Sequence, residues 1–307
     1  MVQPVKDQSS PALSGQVSNL QRLWTEDGFA LTIQLPPLLT ADASAEVQQL
    51  AAQAHLFDAA LTADAPDGAV ALSGMAMAVM MKRAGIETVV RISGRDRNRL
   101  ALQSDLLGLG ALGIHNLLID MCPVTRASLG QNADARLVTD LDGPALLAAA
   151  VRLRDEGRFI SGASVKKAPV FYAGAALSLE EHIPIEALNS AQFVVTPPVL
   201  DIEHFISAFT AFQAAYPAFL RVRPLLVSLP LRTSSTRESA NMGKNSIQHI
   251  RTAIKMLKGY KEVRGINVVV AGKDDLTSLE QVVSMVNEQL QRPYLVNKGG
   301  DNLCLSN

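Results

Sequence analysis

The sequence has two cysteines, few aromatic residues and no long apolar run. Cys122 and Cys304 have neither metal-ligand nor redox spacing, so no metal site is predicted and a reducing compartment, the cytoplasm, is expected. The apolar runs fall short of the roughly 18 residues that a membrane span needs, so no membrane association is predicted. The net charge is −1 with both signs interspersed, and this excludes a basic face for nucleic acid.

The chain does contain enough apolar material for one large core. Of its 307 residues, 48% are hydrophobic and 5% are aromatic, so aliphatic side chains and methionine must fill that core. The first fifteen residues are polar and lack the apolar stretch of a signal peptide. We therefore predict a mobile tail over 1–17, a single folded domain over 18–292 and a second tail over 293–307.

Short β-branched or apolar runs alternate with segments of helical period along the chain. The predicted strands are 29–35, 57–63, 88–93, 115–121, 170–176, 193–196, 225–231 and 266–270. The predicted helices are 43–54, 72–83, 96–112, 144–155, 201–215, 246–257 and one ending near 290, with capping-box pairs opening a short helix at Ser178 and the last helix at Thr277. The run 159–165 also has strand character and is taken as a lead-in to the fifth strand.

Eight strand–helix units in one chain of this length predict a single-domain α/β fold, the (β/α)8 TIM barrel. The alternative is an open, doubly wound sheet. That fold usually has a glycine-rich turn directly after its first strand, and here Pro36 and Pro37 stand in that place.

Two glycine motifs resemble phosphate-binding loops but lie in the wrong context. Gly108, Gly110 and Gly113 fit G-x-G-x-x-G, yet they end a predicted helix and precede a strand, so close helix packing is the favoured interpretation. The segment 243–246 lacks the upstream glycine of a P-loop and is interpreted as a solvated loop, with an anion near Lys244 as the alternative. The five histidines do not cluster, which predicts neither a metal site nor a serine–histidine catalytic group.

Barrel chemistry takes place at the C-terminal ends of the strands, and this rule selects the candidate site residues. Three of them also have a purely structural interpretation: Asp96 as a helix N-cap, Arg95 as its ion-pair partner and Cys122 as a small core hydrophobe. The candidates are Gln34, Thr62, Asp64, Arg91, Ser93, Arg95, Asp96, Asp120, Cys122, Tyr172, Thr196, Arg232, Lys273 and Asp274.

The segment that begins Arg95-Asp96-Arg97-Asn98-Arg99 and continues LALQSDLLG resembles C-R-D-R-N-R-x-A-L-Q-S-D-L-L-G of bacterial methylenetetrahydrofolate reductases, with Gly94 in place of the Cys. Further similar segments follow in the same order, and together they span roughly 18–290. They are 29–37, 138–142, 195–201 and 227–232.

The resemblance implies a flavin-binding barrel that passes a hydride from a nicotinamide through FAD to a folate. It implies a catalytic position at Gln34, where the family has a glutamic acid that donates a proton, and a second at Asp120. FAD contacts are implied at Thr62, Arg91, Ser93, Arg95, Asp96, Cys122 and Tyr172. Contacts to a tetrahydrofolate derivative are implied at Thr196, Arg232 and Lys273.

Four departures from the family pattern fall on the binding face. Gln34, or Ile33 if the proline pair is aligned strictly, cannot donate a carboxyl proton. Asp120 lies about three residues earlier than the family aspartate, Pro197 replaces a folate-contacting glutamine, and the segment 176–193 lacks the family lysines. Changed or lost reductase activity is therefore predicted. The alternatives are a non-catalytic barrel subunit with a protein partner or in a homo-oligomer, and a flavin-free protein that binds folate or transfers a methyl group.

Overall fold

Eight parallel strands close into a barrel in chain order, with β8 pairing back to β1, and this confirms the predicted (β/α)8 fold. The computed structural model describes residues 18–64, 68–123, 125, 129–130, 132, 134–180, 184–232 and 246–291. Both predicted tails, the segment 243–245 and Glu181 lie outside these residues. The strands are β1 Ala30–Gln34, β2 Ala59–Leu61, β3 Thr88–Ile92, β4 Asn116–Asp120, β5 Tyr172–Ala176, β6 Val194–Pro198, β7 Leu225–Leu231 and β8 Val263–Val270.

The helices surround the barrel, and most begin at a side chain that caps their free N–H groups. They are α1 Asn19–Thr25, α2 Ser44–Ala52, α3 Gly74–Arg83, α4 Arg99–Ala111, α5 Gly143–Glu156, α6 Ile202–Ala215, α7 Ser246–Leu257 and α8 Leu279–Leu290. The capping residues are Ser18, Ser73, Asn98, Asp142 and Asp201. Within the described part of the chain, no helix has the length and apolar character to cross a membrane.

The helix after β3 begins later than predicted. Its cap is Asn98, whose side chain accepts a hydrogen bond from the N–H of Ala101 at 3.0 Å. Asp96 is not the cap, because its backbone has a φ of 71° and lies in the left-handed region. The expectation that Asp96 caps the helix was therefore wrong, and only its pairing with Arg95 is observed.

Two further local predictions were wrong. The run 159–165 is a turn with one isolated bridge between Arg158 and Ser164, since Gly157 and Gly162 take positive φ values of 61° and 89°. The short helix predicted to open at Ser178 with Glu181 lies partly outside the described residues, and the connection after β5 contains a 3-10 turn, Ile185–Leu188. A second 3-10 segment, Lys273–Ser278, precedes α8, so the predicted capping box at Thr277 does not start that helix.

Alternation along the strands separates the interior of the barrel from the helix-facing surface. A buried cluster inside the barrel takes at least one residue from each of β1 to β7, including Ala30, Val89 and Leu118. Residues that alternate with these, such as Leu31 and Ile33, belong to the larger cluster against the helices. Gln34, Arg91 and Asp120 are in phase with the interior set and lie at the C-terminal ends of β1, β3 and β4. Their side chains therefore face the opening of the barrel, which we call the mouth.

The opposite end of the barrel is closed by α1. Its Trp24 ring lies 5.9 Å from the ring of Tyr172 and 5.4 Å from that of Phe193, measured between centroids. The Trp24 indole N–H also donates to the backbone carbonyl of Arg264 at 2.9 Å. Since Trp24 is only 5% exposed, the aromatic group covers the N-terminal end of the barrel and leaves the mouth as its open side.

The glycines of the G-x-G-x-x-G segment have three different surroundings. A Cβ at Gly110 would overlap the Pro169 side chain, whereas a Cβ at Gly108 would meet nothing within 4 Å. Gly113 has a φ of 65° and follows the helix. The prediction of close helix packing is therefore confirmed for Gly110 and wrong for Gly108.

This difference predicts opposite effects of one substitution at two positions of α4. Gly108→Ala should raise the free energy of unfolding by about 0.5–1 kcal/mol, because alanine restricts the unfolded chain and meets no neighbour. Gly110→Ala should lower it by about 1–3 kcal/mol, because the added methyl overpacks the contact with Pro169. Urea denaturation of both variants tests this, and shifts of the same sign would contradict it.

Candidate functional site

An arginine and an aspartate from adjacent strands form an ion pair at the mouth. The Arg91 Nη2 donates to Asp120 Oδ2 at 2.8 Å, and the two side chains are 27% and 18% exposed. The other carboxylate oxygen, Oδ1, accepts from the backbone N–H of Cys122 at 3.2 Å. The Arg91 backbone N–H in turn donates to the Thr62 hydroxyl at 3.2 Å. Asp120 is thus held in a fixed orientation and remains accessible to a ligand that carries N–H donors.

A second charged group lies at the ends of β2 and β3. Asp64 accepts from the Ser93 backbone N–H at 2.8 Å and forms an ion pair with Arg97. Arg97 also reaches Asp105 on α4 at 3.2 Å. Arg95 is 8% exposed, and its Nε donates to Asp96 at 2.8 Å. These contacts fix the loop between β3 and α4. Arg97 was not among the predicted site residues, because it lies in this loop and not at the end of a strand.

Close backbone packing explains the glycine at position 94, where the segment that the sequence resembles has a cysteine. A Cβ at this position would overlap the backbone carbonyl oxygen of Leu141, so the loop after β3 can lie against the segment before α5 only with glycine here. Gly143 shows the same feature at β4, where a Cβ would overlap the carbonyl oxygen of Asp120 and approach the Met121 Cα at 2.8 Å. The loops at this side of the mouth pack by backbone-to-backbone contact.

Introducing a cysteine with Gly94→Cys should therefore destabilise the protein. The obstructing atom is backbone, so relaxation requires a loop shift, and we expect a loss of about 1–3 kcal/mol in the free energy of unfolding. Chemical denaturation measures the loss. Gly259→Ala is the control because a Cβ there meets nothing within 4 Å. An equal effect of both substitutions would show that the close approach to Leu141 is unimportant.

Beneath the mouth, four buried polar side chains form a connected group that we call the polar floor: Thr32, Thr196, Ser228 and Asn267. Thr32 donates to Asn267 Oδ1 at 3.0 Å, and Asn267 Nδ2 donates to Ser228 Oγ at 3.0 Å. Asn267 Nδ2 also lies 3.4 Å from Gln34 Oε1. The polar floor therefore joins β1, β6, β7 and β8 and contacts Gln34 from below.

The structure places several predicted contact residues away from an accessible surface. Thr196 is 5% exposed and Thr62 is 1% exposed, and both hydroxyls accept backbone hydrogen bonds. Tyr172 starts β5, so it lies at the closed end of the barrel, and its hydroxyl donates to the Gln192 carbonyl at 3.3 Å. Burial raises the pKa of Tyr172, against a smaller lowering effect of Arg264. Its predicted place at the C-terminal ends was wrong, because the fifth strand begins at this residue.

Two remaining predictions concern the ends of β7 and β8. Arg232 follows β7, and its backbone N–H donates to the Ser246 hydroxyl at 3.1 Å. The Arg232 Nε is buried and has no hydrogen-bond partner within the described residues. Lys273 starts the 3-10 segment after β8, and the positions of its side chain and that of Asp274 lie outside what the structure describes. Ligand contacts at Arg232 and Lys273 stay predictions.

The connection from β5 to β6 does not fit the phosphates of FAD. The sequence over 177–192 contains Glu180, Glu181 and Glu186 and neither lysine nor arginine. In the structure Glu180 accepts from His204 at 2.8 Å, and both side chains are more than half exposed. Carboxylates here would repel a pyrophosphate rather than bind it. Among the described residues no group of three or more His, Cys, Asp and Glu side chains could hold a metal ion either.

Comparison by sequence finds no matching family model and no matching curated protein. By structure, an uncharacterized protein from Clostridium thermocellum that binds two copies of 5-methyl-5,6,7,8-tetrahydrofolic acid is similar, with a TM-score of 0.60 and 10% identity over 88% of this chain and 99% of that chain. A GH18 chitinase from Pseudoalteromonas aurantia has a TM-score of 0.47 and 14% identity, over 84% of this chain and 100% of that chain. A 2,3-dimethylmalate lyase has a TM-score of 0.45 and 16% identity, over 89% of this chain and 85% of that chain. The first similarity supports the barrel fold.

Proposed function

We propose that this chain is a barrel that binds a methyl- or methylene-tetrahydrofolate at its mouth without flavin. The observation that carries the proposal is the accessible Asp120 carboxylate at the mouth. Arg91 holds this carboxylate in place, and in the described structure α1 covers the opposite end of the barrel. The similar Clostridium thermocellum barrel binds 5-methyl-5,6,7,8-tetrahydrofolic acid, and the segment 95–108 resembles a folate-reducing family. Both similarities support a folate as the ligand.

The chemistry of the ring fits a fixed carboxylate. The pyrimidinone ring of a tetrahydrofolate has two neighbouring N–H donors, and an ionised carboxylate is an acceptor-only group that can take both. Gln34 faces the same mouth but has no carboxyl proton to donate. The proposal is therefore binding of the folate rather than reduction of its methylene group, which requires a general acid.

Calorimetric titration of the full chain with 5-methyltetrahydrofolate tests the proposal. We expect saturable binding and no flavin absorbance in the purified protein. The ring-free fragment p-aminobenzoylglutamate serves as the control ligand and should bind much more weakly, because it lacks the donors that face Asp120. Failure to saturate by about 1 mM, equivalent to about −4 kcal/mol, would contradict folate binding.

A flavin-dependent reductase is the second candidate, favoured by the length of the match over 95–108. The visible spectrum of the purified protein separates the two candidates. Bound flavin together with methyltetrahydrofolate-dependent dye reduction would establish the reductase and overturn the flavin-free proposal. A colourless protein that still binds 5-methyltetrahydrofolate would establish the first candidate. Membership of the methylenetetrahydrofolate reductase family stays a prediction.

A further inference from the structure

The direction of the hydrogen bonds that link Ser228, Asn267 and Thr32 can be deduced from one backbone carbonyl. The Thr196 carbonyl can only accept, so the Ser228 hydroxyl, 2.7 Å away, must donate to it. A hydroxyl has one hydrogen, so Ser228 Oγ must accept from the Asn267 side chain at 3.0 Å. The Asn267 atom on this side is therefore the amide nitrogen. Its amide oxygen faces Thr32, which donates to it at 3.0 Å.

This chain of donors continues to Gln34. Asn267 Nδ2 has a second hydrogen, which it donates to the Gln34 amide at 3.4 Å. Because an N–H needs an acceptor, the Gln34 atom at this contact is Oε1. Asn267 is 0% exposed and Ser228 is 1% exposed, so bulk water does not compete for these bonds. With Oε1 turned toward the floor, the Gln34 Nε2 group is directed toward the mouth. No described residue accepts a hydrogen bond from it.

We infer that Asn267 and Ser228 are positioning residues that hold the Gln34 amide with its two N–H donors toward the ligand. The mouth then presents a donor at Gln34 and an acceptor at Asp120. A ring that carries a lactam carbonyl as well as N–H donors is complementary to both groups. Gln34 thus selects for a ring that carries a hydrogen-bond acceptor. The identity of that ring rests on the proposed function, whereas the orientation of Gln34 does not.

The polar floor contains no residue that contacts the ligand in this arrangement. Its members are buried and form hydrogen bonds with one another, so they can affect ligand binding only through Gln34. A merely structural role predicts that removing Asn267 weakens ligand binding whether or not Gln34 is present. A positioning role predicts that the effect of removing Asn267 on affinity depends on Gln34.

A double-mutant cycle measures this dependence. Asn267→Leu should lower the affinity for 5-methyltetrahydrofolate by about 2- to 10-fold, the equivalent of one neutral hydrogen bond. In a Gln34→Ala background the same substitution should leave affinity unchanged. An equal loss in both backgrounds would overturn the inference. If Asn267→Leu does not fold, Ser228→Ala takes its place in the cycle, because it also frees the direction of the Asn267 amide.

Asn287→Leu is a matched control. Asn287 is also a buried asparagine, 4% exposed, but it lies on α8 and donates to the Leu56 carbonyl at 2.8 Å. It should lower stability and leave ligand affinity unchanged. A change in affinity as large as that of Asn267→Leu would count against a specific role for the polar floor.

A ligand-free measurement separates this inference from the proposed function. With selectively ¹⁵N-labelled glutamine, the Gln34 side-chain amide is assigned by its loss in Gln34→Ala. We expect that signal to be well ordered in the wild-type protein and mobile in Asn267→Leu or Ser228→Ala. Equal mobility in all three would overturn the inference. If the wild-type protein does not bind 5-methyltetrahydrofolate yet shows the ordered amide, the proposed function fails and the inference stands.

Discussion

Replacing Trp24 with alanine is expected to lower the free energy of unfolding by about 3–5 kcal/mol. The indole is 5% exposed and packs against the rings of Tyr172 and Phe193, so its removal opens a cavity at the closed end of the barrel. The substitution also leaves the Arg264 carbonyl without its indole donor. Chemical denaturation followed by far-ultraviolet circular dichroism measures the loss.

Trp24→Phe is the matched control for this prediction. It keeps a ring against Tyr172 and Phe193 and removes chiefly the hydrogen bond to Arg264, so it should cost only about 1–2 kcal/mol. If Trp24→Ala and the control destabilise the protein equally, α1 does not act as a packed closure. A loss below about 1 kcal/mol for Trp24→Ala would have the same meaning.

Replacing Asp120 with alanine should weaken binding of 5-methyltetrahydrofolate by roughly 10- to 150-fold. This range corresponds to about 1.5–3 kcal/mol for hydrogen bonds to a charged group. Arg91 loses its partner in this variant, but its side chain is 27% exposed and can be hydrated, so the fold should persist. Isothermal titration at constant ionic strength measures the affinity, and a thermal melt of the same sample verifies the fold.

Asp155→Ala provides a control of the same chemical type. Asp155 is also paired with an arginine, Arg154, but it lies at the end of α5 and its side chain is 50% exposed. The control should bind the ligand with wild-type affinity. Unchanged affinity in Asp120→Ala would show that the ligand does not bind at Asp120, and this would remove the main support for the proposed function.

The barrel could be predicted from the sequence because its strands are short apolar runs with clear ends. The bounds of β7 and α7 agree with prediction, since Leu225–Leu231 is apolar at every position except Ser228 and Ser246–Leu257 has a strong helical period. β8 begins at Val263, three residues before its predicted start, because Arg264 interrupts the apolar run. Its guanidinium lies outside the core, bonded to Asp27 and the Gly28 carbonyl.

The helix α1 was missed because seven residues are too few for a periodic pattern. A signal was nevertheless present in Ser18, a capping residue, followed by Leu20 and Trp24 at i, i+4 spacing. The candidate site was predicted in part. The strand-end rule correctly placed Gln34, Arg91 and Asp120 at the mouth. The polar floor could not be predicted, because it joins residues as far apart as Thr32 and Asn267 and no local pattern marks such a pair.

The pairing of β1 with β8 has a consequence for how the chain is made. β1 contacts β8 along Ala30–Gln34, and Trp24 and Thr32 bond to Arg264 and Asn267, so the first and last parts of the barrel complete each other. A chain emerging from the ribosome therefore keeps two unpaired strand edges until Val263–Val270 has been synthesised, roughly tens of seconds after β1 at usual elongation rates. Exposed parallel edges of this kind favour aggregation. Truncation before β8 should yield chains that depend on chaperones, and co-translational proteolysis should find no protected barrel until the last strand is released.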